Sequence, residues 1–445
     1  MKRISSIILS TALIIGLFFA AQSNHQAQAS SIEIDDALTN VLSAAGNQFI
    51  VEAVITYDAM PSAEEIEELE DFGLTTKTFK NLPMVAIQGT KLEVDSLLSS
   101  GINALSIFYN KNLEYKLRDS RQLIGTEQVW NDLGYTGEGT TVAVIDSGID
   151  ATHPDLPLGD KVVQNVKFLV GNSLFSDGSE SLYLENVANT DTSSGHGTHV
   201  AGTIAGNGTS SDGLYTGVAP DAKLVGLGTG EAISVLWALE AFDYVLENQD
   251  EYSIDIISNS WGTTGDYSPN DPINVASKAA YDAGMVVAFA AGNEGPDNDT
   301  LNPYSAAPWV ISVAAGTKDK QLADFSSRGI PGDELIHPDI TAPGVDIVAA
   351  KSSTGLVMNL LGTTTDITYI DAAHLPYYTT ASGTSMATPH ISGVAALMLE
   401  ANSGLTPDGV FDALTNTADP MDGYELHEAG AGYVNAYEAV KAVEK

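Results

Sequence analysis

Residues 141–148 read Thr-Val-Ala-Val-Ile-Asp-Ser-Gly. An uninterrupted apolar run that ends in an acid and a glycine turn has the pattern of a strand buried on both faces, with a polar group carried at its C-terminal end. Strands of that kind belong to parallel sheets covered by helices. The rest of the chain repeats the theme: apolar runs at Lys223 to Gly226, Ile254 to Ser258, Met285 to Ala291 and Val310 to Ala314 alternate with helix-period segments at His199 to Ala205, Ser234 to Glu247 and Ile273 to Ala283. A further helix is expected from Thr384 to Leu399. For residues 116–445 the expectation is therefore α/β, a mostly parallel sheet with helices on both faces.

Three short motifs carry chemistry: VAVIDSG around Asp146, GHGTHVAG around His196 and GTSMATP around Ser385. They place an acid, a base and a hydroxyl in that chain order. A serine hydroxyl is a poor nucleophile until a neutral imidazole takes its proton, and the imidazole needs a carboxylate to hold its tautomer and stabilise its cation. Each motif alone also has an ordinary reading, as a turn after a strand or as a helix cap. Their conjunction points to acyl-bond cleavage, with Asp146, His196 and Ser385 as catalytic residues.

Together the motifs resemble those of the subtilisin-like serine proteases, the subtilases. The resemblance implies a subtilisin-like fold and a serine endopeptidase that needs no cofactor for its chemistry. It extends to Ala290–Ala291–Gly292–Asn293, where Asn293 looks like the side-chain donor to the oxyanion. It also implies a peptide-binding cleft with Gly228 and Gly230 on one edge and Ser260, Trp261 and Gly262 on the other, and Glu294 at the far end of a side-chain pocket. An extended substrate would add a strand between those edges. Trp261 departs from the aliphatic residue common at its place, and burial in the core is its alternative reading. The glycines at 226–230 lack the full spacing of a dinucleotide-binding turn. His199 and His390 are expected to be helix residues with packing or hydrogen-bonding roles. Subtilases often hold structural calcium, and Asp155 matches a family ligand position, with Asn207 and Asp212 as further oxygen donors; the metal ligands stay unassigned. Zinc is not indicated, since the chain has no Cys and no HExxH spacing. The stretch Lys351 to Thr380 is longer than a minimal subtilase has before its nucleophile.

The N-terminal part has a different pattern. Lys2 and Arg3 precede an apolar run from Ile7 to Ala21, and Ala27–Gln28–Ala29 supplies small residues at cleavage spacing, so residues 1–29 read as a secretory signal peptide. The run is interrupted by Ser10, Thr11 and Gly16 and is short for a membrane span, the alternative reading. Residues 30–115 are expected to be a prodomain and linker. Between Phe49 and Tyr109 the pattern is strand, helix, strand, strand, helix, strand, a small ferredoxin-like α+β unit. It resembles the inhibitory prodomain of subtilases, and an independent binding module is the alternative. The polar stretch from Asn110 to Arg121 reads as the linker where self-cleavage occurs.

With 445 residues and 44% apolar content the chain is globular and long enough for two or three folding units without disulfides. Against 58 acidic residues stand 19 basic ones, a net charge of −39, which excludes nucleic acid as a partner. The expected partners are protein or peptide substrates and the chain's own prodomain as inhibitor. No membrane association is expected after signal removal, and the product is expected to be a secreted monomer. An esterase or lipase would carry a G-x-S-x-G elbow and the order Ser, acid, His, neither of which is present. A protein that only binds peptides would be expected to have lost a catalytic position, and none is replaced.

Overall fold

The computed structural model describes residues 32–80, 82–110, 120–170, 181–230 and 233–445. The expected signal peptide and most of the expected linker lie outside the described residues. The chain divides into two compact units, 1–114 and 115–445.

The first unit holds β1 (Glu33–Ile34), α1 (Asp36–Ala44), β2 (Ile50–Thr56), α2 (Ala63–Asp71), β3 (Thr75–Thr78), β4 (Met84–Thr90), α3 (Lys91–Ser100) and β5 (Ser106–Tyr109). Its sheet runs β1-β5-β2-β4-β3, with β2 antiparallel to both β4 and β5. Strand β2 buries every second residue, Val51, Ala53 and Ile55, against Val85, Ile87, Leu97 and Ile107. Helices α2 and α3 both begin with a capping box. Ser62 Oγ accepts from Glu65 N while Glu65 Oε2 accepts from Ser62 N, and Thr90 and Glu93 repeat the arrangement. The order from β2 to β5 is the expected strand-helix-strand-strand-helix-strand. Strand β1, parallel to β5, and α1 are additions at the N-terminal end.

The second unit is built on an eight-stranded sheet of β6 (Thr141–Asp146), β7 (Val162–Phe168), β8 (Tyr183–Leu184), β9 (Lys223–Gly228), β10 (Ile256–Asn259), β11 (Val286–Ala290), β12 (Ile311–Gly316) and β13 (Ile340–Pro343). The order is β13-β12-β11-β10-β6-β9-β7-β8, parallel except for β8. Every residue of β6 is buried, which explains its continuous apolar run. Val142 and Val144 face one layer, with α4 (His196–Ala205) and α9 (Thr384–Ala401); Ala143 and Ile145 face the other, with α5 (Val235–Glu247) and α6 (Pro272–Asp282). A smaller antiparallel pair, β14 (Ile347–Ala350) and β15 (Tyr378–Ala381), brackets α7 (Leu356–Leu361) and α8 (Thr363–Tyr369). Among the described residues no helix is long and apolar enough to cross a membrane.

This strand order positions the site. From β6 the chain moves outward to β7, returns to β9, then crosses β6 to reach β10 on its other side. The connections therefore diverge at the C-terminal ends of β6 and β10, which is where an open α/β sheet leaves a crevice. Asp146 ends β6, Ser260 follows β10, and Asn293 lies in the turn after β11.

Candidate active site

Asp146 is buried, and its Oδ1 accepts hydrogen bonds from His196 Nδ1 at 2.7 Å and from Ser147 N at 2.7 Å. His196 is the first residue of α4, so its ring is carried by a helix packed on the strand that carries Asp146. The approach is so close at Gly197 that a Cβ there would lie 2.2 Å from Gly148 O, which leaves room for no larger residue. Burial pulls the His196 pKa down, but the charge of Asp146, its hydrogen bond and the charge of Asp191 outweigh it, and the net displacement is upward. With Nδ1–H committed to a carboxylate, Nε2 is the nitrogen left to exchange a proton.

Ser385 is the second residue of α9. Its Oγ donates to Ser260 O at 2.8 Å, and Ser260 Oγ donates back to Ser385 O at 2.9 Å. The hydroxyl is thus held by the end of β10 rather than by the imidazole. Asn293 Oδ1 accepts from Thr384 N at 2.9 Å and Thr384 Oγ1 at 3.1 Å. Both contacts are donors, so they assign the amide orientation and make Nδ2 the outward donor. Two pockets meet at Ser385 and Asn293. One, of about 160 Å³, is walled by Trp261, Gly262, Ala290 and Glu294; the other, of about 350 Å³, includes His196.

A crevice at the sheet's switch point that gathers a buried acid, a histidine and a helix-borne serine is matched by a family model. The model described as the subtilase family covers residues 137–432. The chain belongs to the subtilase family. It is 34% identical over 403 residues to the serine protease AprX of Bacillus subtilis (strain 168), covering 85% of this chain and 84% of that relative. It is 35% identical over 317 residues to subtilisin E of the same organism, covering 69% of this chain and 67% of subtilisin E. Among solved structures it is similar to the S41 psychrophilic protease, with a TM-score of 0.54 at 28% identity, covering 70% of this chain and 96% of that one. The protein is a subtilisin-like serine protease, a hydrolase with an α/β fold.

Of the remaining residues singled out in this subtilase's sequence, Trp261, Gly262 and Glu294 line the smaller pocket. Trp261 is half-buried: its ring packs edge-on against Phe289 and Tyr304, at 5.3 and 5.9 Å between centroids, its Nε1 donates to Ile145 O, and it lines the smaller pocket. Glu294 is exposed on that pocket, its N–H held by Ser327 Oγ. Gly262 has no space for a side chain because Asn302 fills it. Gly228 and Gly230 stand at the end of β9, where the intervening Thr229 donates twice to Asp146 O. They do not line the smaller pocket. His199 and His390 are buried helix residues, held by Ile347 O and Met386 O respectively, as expected.

Two residues escaped the sequence reading. Asn302 donates to Trp261 O and Ala290 O and accepts from Thr263 N, tying the ends of β10 and β11 together beneath the pocket. Asp191 is fully buried under the His196 turn, where it accepts from Gly195 N, Ser147 Oγ and both donors of Thr198. Neither stands in a recognisable motif; only the turn chemistry of Asn and Asp offered a signal.

The calcium expectation meets a different donor set. Asp155 is buried, with Oδ2 accepting from Tyr378 OH at 2.5 Å and Oδ1 from Ser210 N at 2.9 Å. Asn207 Oδ1 accepts from Thr209 N. Each of these oxygens already accepts one hydrogen bond from the protein itself. Among the described residues no group of three or more His, Cys, Asp or Glu gathers in a metal-binding arrangement.

Proposed function

We propose that this subtilase is a secreted serine endopeptidase that acts through Asp146, His196 and Ser385, with Asn293 stabilising the oxyanion, and is made as a self-processing zymogen. The observation that carries the reading is the 2.7 Å hydrogen bond between buried Asp146 and half-buried His196 at the edge of a crevice that also holds Ser385. In this reading Ser385 Oγ gives up its bond to Ser260 O and turns to His196 Nε2, across the pocket that both residues line. As Oγ attacks the substrate carbonyl carbon, its proton passes to Nε2, and the carbonyl oxygen takes the electron pair. Asn293 Nδ2 and the Ser385 N–H donate to that oxygen, where their worth is greatest because charge develops there. The intermediate then collapses, the C–N bond breaks, and Nε2–H protonates the departing amine. Water repeats the sequence on the acyl-enzyme and restores Ser385.

The N-terminal unit is the inhibitor in this reading, removed by cleavage that leaves a mature chain beginning between Asn110 and Leu123. Casein hydrolysis, covalent labelling by a fluorophosphonate and N-terminal sequencing of the secreted protein test the whole proposal. Ser385→Ala is expected to abolish labelling and self-processing and to lower turnover by about a million-fold, the cost of losing the nucleophile in subtilisin. Asn293→Ala is expected to lose about a hundred- to a thousand-fold in kcat while still taking up the label. Retention of more than a few per cent of activity by Ser385→Ala would sink the reading. Full activity in a mature chain that starts near Ser30 would remove the inhibitor role.

A further inference from the structure

The insertion between β14 and β15 is a built part of the crevice. Its entry is held by Asp150 Oδ2, which accepts from Ser353 N at 2.8 Å and Ser353 Oγ at 2.6 Å. Its exit is held by buried Asp366, which accepts from Thr380 N at 2.7 Å and Thr379 Oγ1 at 3.0 Å. Between those anchors, α7 is bonded to the turn that carries the base: Val357 N donates to Ser193 O and Met358 N to Ser194 O, at 3.3 and 3.0 Å. A Cβ at Gly195 would lie 3.1 Å from Met358 Cβ. Helix α7 is therefore docked against the residue before His196.

This docking gives the larger pocket an apolar wall. Met358, Leu361 and Met386 line it together with His196, Ser385 and Asn293. Leu361 is 74% exposed, and Leu356, Val357, Leu360 and Ile367 of the same insertion are exposed as well. Residues 352–365 contain no charged side chain, in a chain whose net charge is −39. Single exposed leucines are ordinary, but an uncharged insertion with several exposed apolar side chains, one of which, Leu361, lines the pocket that holds His196 and Ser385, marks a surface that binds something.

We propose that this pocket receives an apolar side chain from one of the two substrate residues that follow the scissile bond. The inference rests on the proteolytic reading given above. The base that takes the Ser385 proton returns it to the departing amine, so the leaving half of the substrate runs out on the His196 side of Ser385. The larger pocket is the one that includes His196; the smaller one, behind Trp261 and Glu294, lies toward the acyl half. Met358 and Leu361 thus set specificity on the leaving side, and an acidic or small polar residue there forgoes the apolar contact.

The test uses the protein recovered from expression of the full chain. Internally quenched peptides share one acyl half and carry Leu, Phe, Ser or Asp at the first or second position after the scissile bond. Wild type is expected to favour Leu or Phe over Ser at one position by about tenfold or more in kcat/KM, the range an apolar pocket gives. Leu361→Ser is expected to reduce that ratio at least threefold, whereas Val275→Ser, an exposed apolar change on α6, keeps it. A p-nitroanilide with the same acyl half has no residue on the leaving side and reports the chemistry alone. Hydrolysis of the anilide with a flat peptide series, or a ratio that Leu361→Ser leaves intact, overturns the proposal. Loss of anilide hydrolysis and of fluorophosphonate labelling in wild type overturns the proteolytic reading and this proposal with it.

Discussion

Asp191 accepts both hydrogen bonds that Thr198 offers, from its backbone N–H at 3.1 Å and from its hydroxyl at 2.6 Å. Its other oxygen takes Gly195 N at 2.8 Å, so one buried carboxylate holds the first turn of α4 on both sides of His196. An anion suits a helix N-terminus, where backbone N–H groups lack partners. Burial nonetheless pushes the Asp191 pKa up against its hydrogen bonds, and the charge of Asp146 adds to that rise. For Asp191→Asn, an amide NH2 must face a donor or turn away from it, and a negative charge beside His196 is lost. The expected result is a fall in kcat/KM of about ten- to a hundredfold through misplacement of the base. The acid limb of the pH–rate profile should also move to lower pH, because the Asp191 charge helps to raise the His196 pKa. An unshifted limb would show that Asp191 has only a structural role.

Tyr378 and Asp155 form a second buried couple, joined at 2.5 Å, with Ser211 Oγ also within reach of the phenol at 2.9 Å. Phenylalanine at 378 would keep the ring in its cluster with Tyr215 and Ile370 but leave Asp155 Oδ2 buried without that donor. The loss of a hydrogen bond to a buried charged group is expected to cost about 1–3 kcal/mol. The measurement is chemical denaturation of Tyr378→Phe in a Ser385→Ala background, which prevents self-digestion. Equal stability of the two proteins would count against the couple.

How far the sequence could be read follows from which interactions are local. Asp146, His196 and Ser385 stand in motifs because each needs particular neighbours, as Gly197 illustrates with its 2.2 Å clearance problem. Strands β6 and β11 were legible because burial on both faces demands unbroken apolar runs. Strand β3, Thr-Thr-Lys-Thr, is mostly exposed at the sheet edge and carries no such run. Asn302 was out of reach for another reason: Trp261, Thr263 and Ala290 come to it from separate strands and loops; Asp191 has near neighbours in Gly195 and Thr198, but its burial and its bond to Ser147 appear only in the fold. The insertion at 351–380 has short helices whose apolar residues, Met358 apart, are mostly exposed, so a period that signals core packing is missing.

Acid stability follows from two other histidines. His199 and His390 are buried in α4 and α9, and burial holds both at a pKa of about 4, well below the ordinary 6.5. Between those values the unfolded chain binds protons that the folded chain refuses, so stability rises with pH across the window and falls as pH drops from 6.5 toward 4. The effect is about 1.4 kcal/mol for each pH unit and each group within the window. For the Ser385→Ala protein the melting temperature should drop steeply between pH 6.5 and 4. In His390→Gln, a neutral side chain of similar reach, the slope should become shallower. A slope unchanged by that substitution would place the acid sensitivity elsewhere.

The charge balance leads to the last expectation. At 58 acidic against 19 basic residues, most carboxylates have no cation to pair with. Exposed pairs such as Lys223–Asp160 and Lys441–Glu438 contribute little in any case, about 0–1 kcal/mol each. Salt weakens both those few attractions and the many repulsions, and the repulsions outnumber them. The screening length shortens from about 10 Å at 0.1 M to about 3 Å at 1 M. The compact state, which holds the carboxylates closer together than the unfolded chain does, therefore gains more from salt. The melting temperature of the Ser385→Ala protein is expected to rise from 0.05 to 2 M NaCl at fixed calcium and pH 7. Excluded salts such as sulfate also strengthen apolar burial, so the comparison with sodium sulfate at equal ionic strength isolates the charge effect. A flat or falling curve in NaCl would mean that the acidic surface serves solubility alone.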